Sequence, residues 1–159
     1  MGTHYQGTAE QVQALDAYIK LMRAADSVTT RLNRLLAENH LTISQFGALE
    51  ALFHLGPMGQ TEIGAKLLKS SGNVTMVVDN LEKRGLVRRE RGSADRRCVT
   101  VHLTEEGRAL ISRIFPPHAE AIRIQMGALS RSEQQELARL CRRLGRTAAG
   151  LEADGGSDS

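Results

Sequence analysis

Asp95, Arg96 and Arg97 stand together in the stretch "RRERGSADRRCVTVHLTEEG", residues 88–107, where two short extended runs flank a Gly92–Ser93 turn. A turn needs only turn-forming residues, so these arginines exceed what the backbone requires. A guanidinium is permanently charged and suits phosphate oxygens and the negative potential of narrow grooves in a duplex. A carboxylate two residues before an arginine can hold its fork in one direction. The triplet therefore allows a division of labour: one residue inserts, one orients, one meets backbone phosphate. The competing reading is a solvated, salt-bridged turn that contributes little to stability.

A second group precedes it. Ser70, Ser71, Asn73, Thr75 and Met76 open a segment whose other positions, Val74, Val77, Val78 and Leu81, recur at helical spacing. Short donors and acceptors in the leading turns of a helix can reach base edges in a major groove, and the helix N-terminus attracts phosphate. Charge distribution agrees. The chain carries +3 overall, but Lys83–Arg97 holds seven basic residues (among them Lys83, Arg89, Arg96 and Arg97) against two acids, an excess of +5 that leaves the remainder at −2. A basic island on a near-neutral body is the footprint of a polyanionic partner, although charge alone does not separate it from a solvated face.

Other chemistry is less well provided for. Cys98 adjoins Arg96 and Arg97, which favour a thiolate, whereas Cys141 falls on an apolar helical stripe and reads as a buried packing residue. The five histidines are scattered without an i, i+4 pair or a Cys-x-x-Cys, so no metal site is expected. No G-x-S-x-G, Walker-type loop or G-x-G-x-x-G is present, so no catalytic residue and no cofactor is expected either. Aromatic residues make up 3% of the chain with no Trp, which argues against a stacking platform for single strands.

The elements that must position these residues can be read in order. Thr8 with Gln11, Thr42 with Gln45 and Ser130 with Glu133 are capping boxes, each opening a helix. The first, residues 9–39, exceeds the usual globular length, and its stripe of Val12, Leu15, Ile19, Met22, Leu32 and Leu36 needs more than a local core, most simply a partner subunit. A second helix ends at Gly56-Pro57, a short third covers "QTEIGAKLL", and a fourth runs from about residue 72 to a left-handed stop at Gly85. Two strands follow, "LVRRER" and "CVTVHL", the second with Val99, Val101 and Leu103 on one face. Thr104 caps a fifth helix that Pro116-Pro117 should break or kink, and a last helix carries Leu137, Leu140, Cys141 and Leu144. No segment is long and apolar enough to span a bilayer and no signal peptide is evident, so a cytoplasmic protein is expected.

At this point "VTMVVDNLEKRGLVRRERGSADRRCVTVHLTEEG" resembles the MarR family of winged helix-turn-helix transcriptional regulators, whose wing shows D-x-R before L-T and a glycine; here these are Asp95, Arg97, Leu103, Thr104 and Gly107. Within that family, "YIKLMRAADSVTTRLNRLLAENHLTISQF" with "SSGNVTMVVDNLE" is similar to the regulators of quinone and catechol resistance. The resemblance implies a mainly α fold with a small β-hairpin wing. One domain, residues 9–149, would hold a winged-helix DNA-binding lobe (41–103) flanked by dimerisation helices (9–39 and 104–149), with residues 150–159 a disordered tail. It implies a homodimer on a pseudo-palindromic double-stranded operator, with half-site centres about 10 bp apart. Arg97 would enter the minor groove with Asp95 orienting it. Ser70, Ser71, Asn73 and Thr75 would face the major groove, and Lys83 and Arg89 would meet phosphate. The leading turns of this recognition helix lack arginine, a departure that disfavours bidentate guanine readout there. The resemblance further implies a repressor released by a small phenolic or quinone-like effector between the lobes. Met22, Phe46, His54 and His118 are pocket candidates, set against an ordinary packing role that is the commoner use of each. Oxidation of Cys98 is the alternative switch.

Overall fold

The computed structural model describes residues 3–67, 71–93, 95 and 97–154, with the backbone alone for Ser71 and residues 148–154. Its elements are α1 (Ala9–Ala37), α2 (Ile43–Leu55), β1 (Met58–Gly59), α3 (Gln60–Leu67), α4 (Ser71–Lys83), β2 (Val87–Arg91), β3 (Val99–Leu103), α5 (Glu105–Met126) and α6 (Arg131–Asp154). A mostly helical chain thus carries a small antiparallel sheet in the order β1-β3-β2. All three capping boxes form: the Thr8, Thr42 and Ser130 hydroxyl oxygens accept from the backbone N–H of Gln11, Gln45 and Glu133. Gly56 and Gly85 end α2 and α4 with φ of +86° and +70°, positive values that favour glycine; Gly56 pairs its φ with an extended ψ of −175°.

The chain divides into two compact units, residues 1–121 and 122–159. In the first, Leu36 of α1 and Ile111 and Ile114 of α5 join the apolar faces of α2, α3 and α4 and the sheet in one core. Val74, Val78 and Leu81, spaced i, i+4, i+7, are fully buried and seat α4 on it. Fully burying one such side chain is worth ~1.5–3 kcal/mol, so this face holds α4 far more firmly than its intrinsic helix propensity does. In the second unit, the Gln134 amide donates to the carbonyls of Met126 and Leu129 and closes the turn before α6.

The Leu103-Thr104…Gly107 step is a joint. The Thr104 hydroxyl donates to the Gly85 carbonyl at 2.6 Å and accepts from Gly107 N–H at 3.0 Å, while Thr104 N–H reaches the Leu86 carbonyl. A Cβ on Gly107 would lie 1.9 Å from the Leu86 oxygen, so only glycine lets α5 start this close to the α4–β2 turn. The motif therefore locks the far end of the wing to the end of α4.

Four expectations are corrected. β1 is a strand of two residues, pairing Met58 with Val101 and Gly59 with Thr100, too short to show alternation in sequence. On β3 only Val101 is buried, and Val99 and Leu103 are half-buried. α5 is not broken at Pro116-Pro117. Each proline withdraws a donor, from the Ser112 and Arg113 carbonyls on the exposed side, while the buried face of Ile111, Ile114 and His118 runs on across the pair and holds the helix together. α6 continues to Asp154, so residues 150–154 are helical where a tail was expected; residues 155–159 lie outside the described residues.

Candidate nucleic-acid interface

The wing is the loop between β2 and β3. Gly92 N–H donates to the Cys98 carbonyl at 2.8 Å and Cys98 N–H to the Asp95 carbonyl at 3.1 Å, which narrows the hairpin into a tip. A Cβ on Gly92 would meet the Asp95 oxygen at 2.8 Å, so the tip requires a residue without one there. Asp95 Oδ1 accepts from Arg97 N–H at 2.9 Å and lies 3.6 Å from Arg97 Nε. The Arg97 side chain is nonetheless 94% exposed. An arginine oriented at its base and bare at its fork has the geometry expected from the Asp-x-Arg spacing. Arg96 and Ser70 lie outside the described residues, and Ser71 opens α4 with its side chain outside them.

On the outer side of β2, Arg88 pairs with Glu90 at 2.6 Å, and His102, opposite Arg88 on β3, approaches the same carboxylate at 3.4 Å. The inner side is different. Arg89 shares the face of buried Val87, and its side chain is 22% exposed. Its guanidinium donates through Nη1 to Glu82, through Nη2 to Asp79 (each 2.6 Å) and through Nε to Gln60 Oε1 at 2.9 Å, while its backbone N–H reaches Glu82 Oε1. Burial alone would ease the proton off this arginine, but the bonds and charges of Asp79 and Glu82 outweigh it and raise its pKa. The Arg89 backbone bond, helped by its guanidinium, holds the Glu82 carboxyl below its ordinary value. Arg89 is therefore corrected from phosphate contact to clamp: all three nitrogens of its fork are committed within the chain.

The clamp defines the faces of α4. Thr75, Asp79 and Glu82, at i, i+4, i+7, form the flank toward α3 and β2, since the Gln60 amide also donates to the Thr75 hydroxyl oxygen at 3.1 Å. Opposite the buried valines, Gly72, Asn73, Met76, Asn80 and Lys83 are exposed. Asn73, Met76 and Lys83 are thus where the sequence pattern puts them, and Thr75 lies on the flank. Gln60, Asp79, Glu82 and outward Asn80 were not anticipated. Their signals were available: the i, i+4, i+7 polar row on α4, and the two-residue step from Val87 to Arg89 that faces both inward on a strand.

The pocket candidates only partly converge. Phe46 lies 4.2 Å ring to ring from His118 and stacks parallel to Phe115, and Phe115 meets His54 edge-on at 4.7 Å. His54 and Phe115 line a cleft of about 540 Å³ with Glu50, Lys66 and Leu67. His118 lines a smaller one, about 250 Å³, with Leu35, Asn39, Arg113 and Pro117. Burial withdraws solvation from His118 and lowers its pKa, against the opposing charge of Glu50. Met22 and Phe46 are corrected, since neither lines either cleft: Met22 stands 49% exposed on α1, and Phe46 is buried in the core. Cys141 is corrected too, from buried to exposed, because the stripe of α6 that carries it remains open; Cys98 is exposed as well.

Comparison with known proteins gives this geometry a context. The MarR family model matches residues 41–99, from the start of α2 to the start of β3. The HTH-type transcriptional regulator MhqR of Bacillus subtilis is 35% identical over 133 residues, 84% of this chain and 92% of that one. A MarR family transcriptional regulator from Streptomyces coelicolor, solved in complex with DNA, is 26% identical with a TM-score of 0.81 over 90% of this chain and 94% of that one. Bordetella bronchiseptica BpsR, whose DNA binding is regulated by 6-hydroxynicotinic acid, is 26% identical with a TM-score of 0.74 over 81% of this chain and 98% of that one. With its helical frame, its wing and these relatives along nearly its whole length, the chain belongs to the MarR family of winged-helix transcriptional regulators, DNA-binding proteins and not enzymes.

Proposed function

We propose that this protein is a cytoplasmic, homodimeric repressor whose two wings and α4 helices grip a pseudo-palindromic operator. The observation that carries the reading is Arg97, 94% exposed at the wing tip and steered by Asp95. In a duplex it enters the minor groove, while α4 lies in the neighbouring major groove with half-site centres about 10 bp apart. Dimerisation is supported by apolar surface that this chain leaves open: Leu137, Leu140 and Leu144 on α6 are 37%, 45% and 57% exposed. On α1, of the expected stripe only Leu32 and Leu36 are buried.

The effector is a small, flat ring compound bearing oxygen: a phenol, a quinone-like compound or a hydroxylated aromatic acid. The aromatic cluster Phe46–His118–Phe115–His54 borders two clefts, and the larger falls in the range typical of small-molecule sites. Lys66 in one cleft and Arg113 in the other supply a cation for a phenolate or carboxylate. The regulation of BpsR by a hydroxylated aromatic acid supports the same class. Release follows if the effector prefers a spacing of the α4 helices that fits the operator poorly.

Selection of bound sites from random duplexes, followed by titration with 6-hydroxynicotinate, simple phenols and quinones, tests both parts. A palindromic consensus released by one of these compounds is expected. A selection without palindromy sinks the dimeric operator reading, and a consensus indifferent to every compound sinks the effector. The second reading, oxidation of Cys98, is favoured by the exposure of that thiol on the wing. Peroxide should then release the wild type and leave Cys98→Ser bound; equal responses exclude it.

A further inference from the structure

Met76 is the large apolar side chain that α4 turns outward, 60% exposed and flanked on the same stripe by Asn73 and Asn80. Its surroundings are chemically narrow. Asp79 and Glu82 are spent on Arg89. Thr75 is drawn to the other flank, and the polarity of that contact is forced. An arginine has only donors, so Gln60 must turn its carbonyl to Arg89 Nε, which points its NH2 at the Thr75 hydroxyl oxygen. The outward stripe that remains is a thioether between two carboxamides, closed by Lys83, with no acid and no arginine among the described residues.

Base edges in the major groove offer one apolar group, the 5-methyl of thymine, and asparagine is suited to the N6/N7 edge of adenine. We propose that α4 reads A·T pairs, with Met76 as the specificity-determining residue that packs on a thymine 5-methyl group. This rests on the reading above that α4 lies in the major groove. Asn73 and Asn80 then face adenines on either side, and Lys83 closes on phosphate.

The test uses the full chain and its selected duplex, with every thymine beneath α4 replaced by deoxyuridine. That change deletes the methyl group alone and leaves pairing and the minor groove as they were, so wing contacts do not register. Wild type should bind the uracil duplex about fourfold more weakly per contacted methyl, the equivalent of ~0.8 kcal/mol per buried carbon. Met76→Ala should bind both duplexes alike, whereas Met76→Leu, still apolar, should keep the preference. Three results overturn the proposal: a consensus without thymine beneath α4, a wild type indifferent to uracil, or a Met76→Ala variant that retains the full thymine preference. A selection with no preferred sequence at all removes the major-groove reading and takes this inference with it, so the two failures are distinguishable.

Discussion

Replacing Arg89 with methionine keeps an unbranched stem out to about the position of Nε and removes the fork. Three interactions go: two charge-assisted bonds to Asp79 and Glu82 and one to Gln60. The acids are 47% and 40% exposed, so water screens them and neither bond approaches the value of a buried pair. Taking ~0.5–1 kcal/mol for each screened ion pair and ~1 kcal/mol for the Gln60 bond gives a loss of ~2–3 kcal/mol. At ~2–4 °C per kcal/mol for a chain of this size, the melting temperature should fall by ~4–12 °C. The acid limb should change as well. Glu82 has its pKa lowered in the folded protein, so its contribution is present above its ordinary 4.5 and is lost as pH falls through the folded value. Arg89→Met removes the guanidinium's share of that lowering, and the backbone bond to Glu82 keeps the rest.

Thermal melts at neutral pH and near pH 4 measure both effects, and operator binding against salt separates clamp from phosphate contact. Losing one phosphate contact makes the slope of log K against log salt shallower by ~0.9, as Lys83→Ala should. Losing an internal clamp leaves the slope alone and weakens binding through a displaced α4. If Arg89→Met melts with the wild type but binds with the shallower slope, the fork faces phosphate in solution and the reasoning fails.

The contrast between Arg89 and Arg97 shows what the sequence carried and where it stopped. Capping boxes, the valine stripe of α4 and the glycine stops are local signals, and α1 to α4 appear within a few residues of their expected bounds. Arg97 was legible because Asp95 is two residues away, so its partner is visible in the same stretch. Arg89 has its partners 7, 10 and 29 positions away on two other elements, and seven basic residues in one run look alike until strand alternation sorts them by face. Met22 and Cys141 failed for a related reason. Periodicity says that a stripe must be covered and does not say by what, and both side chains stand exposed in the single chain.

Arg97→Ala should weaken operator binding by about tenfold to a hundredfold and flatten preference at the minor-groove position, read from fluorescence anisotropy on variant duplexes; unchanged affinity at fixed salt removes the wing assignment. Gly107→Ala should cost ~3 kcal/mol or more in a denaturant melt, since its Cβ meets the Leu86 backbone oxygen, and a near-native midpoint would mean that the joint yields. His118 supplies a pH prediction whose direction follows from its setting. The ring is buried against Phe46 and its Nδ1 has no hydrogen-bond partner, so the folded protein disfavours the imidazolium. With the folded pKa below the ordinary 6.5, the unfolded chain binds the extra proton first. Stability from this site is therefore complete above 6.5 and declines as pH falls toward the folded value. His118→Phe should remove that decline between about pH 7 and 5 while leaving the lower limb set by the carboxylates. Parallel loss in wild type and variant across that window would mean that the buried ring takes up its proton as readily as a free one, and that the Phe46 contact does not keep it neutral.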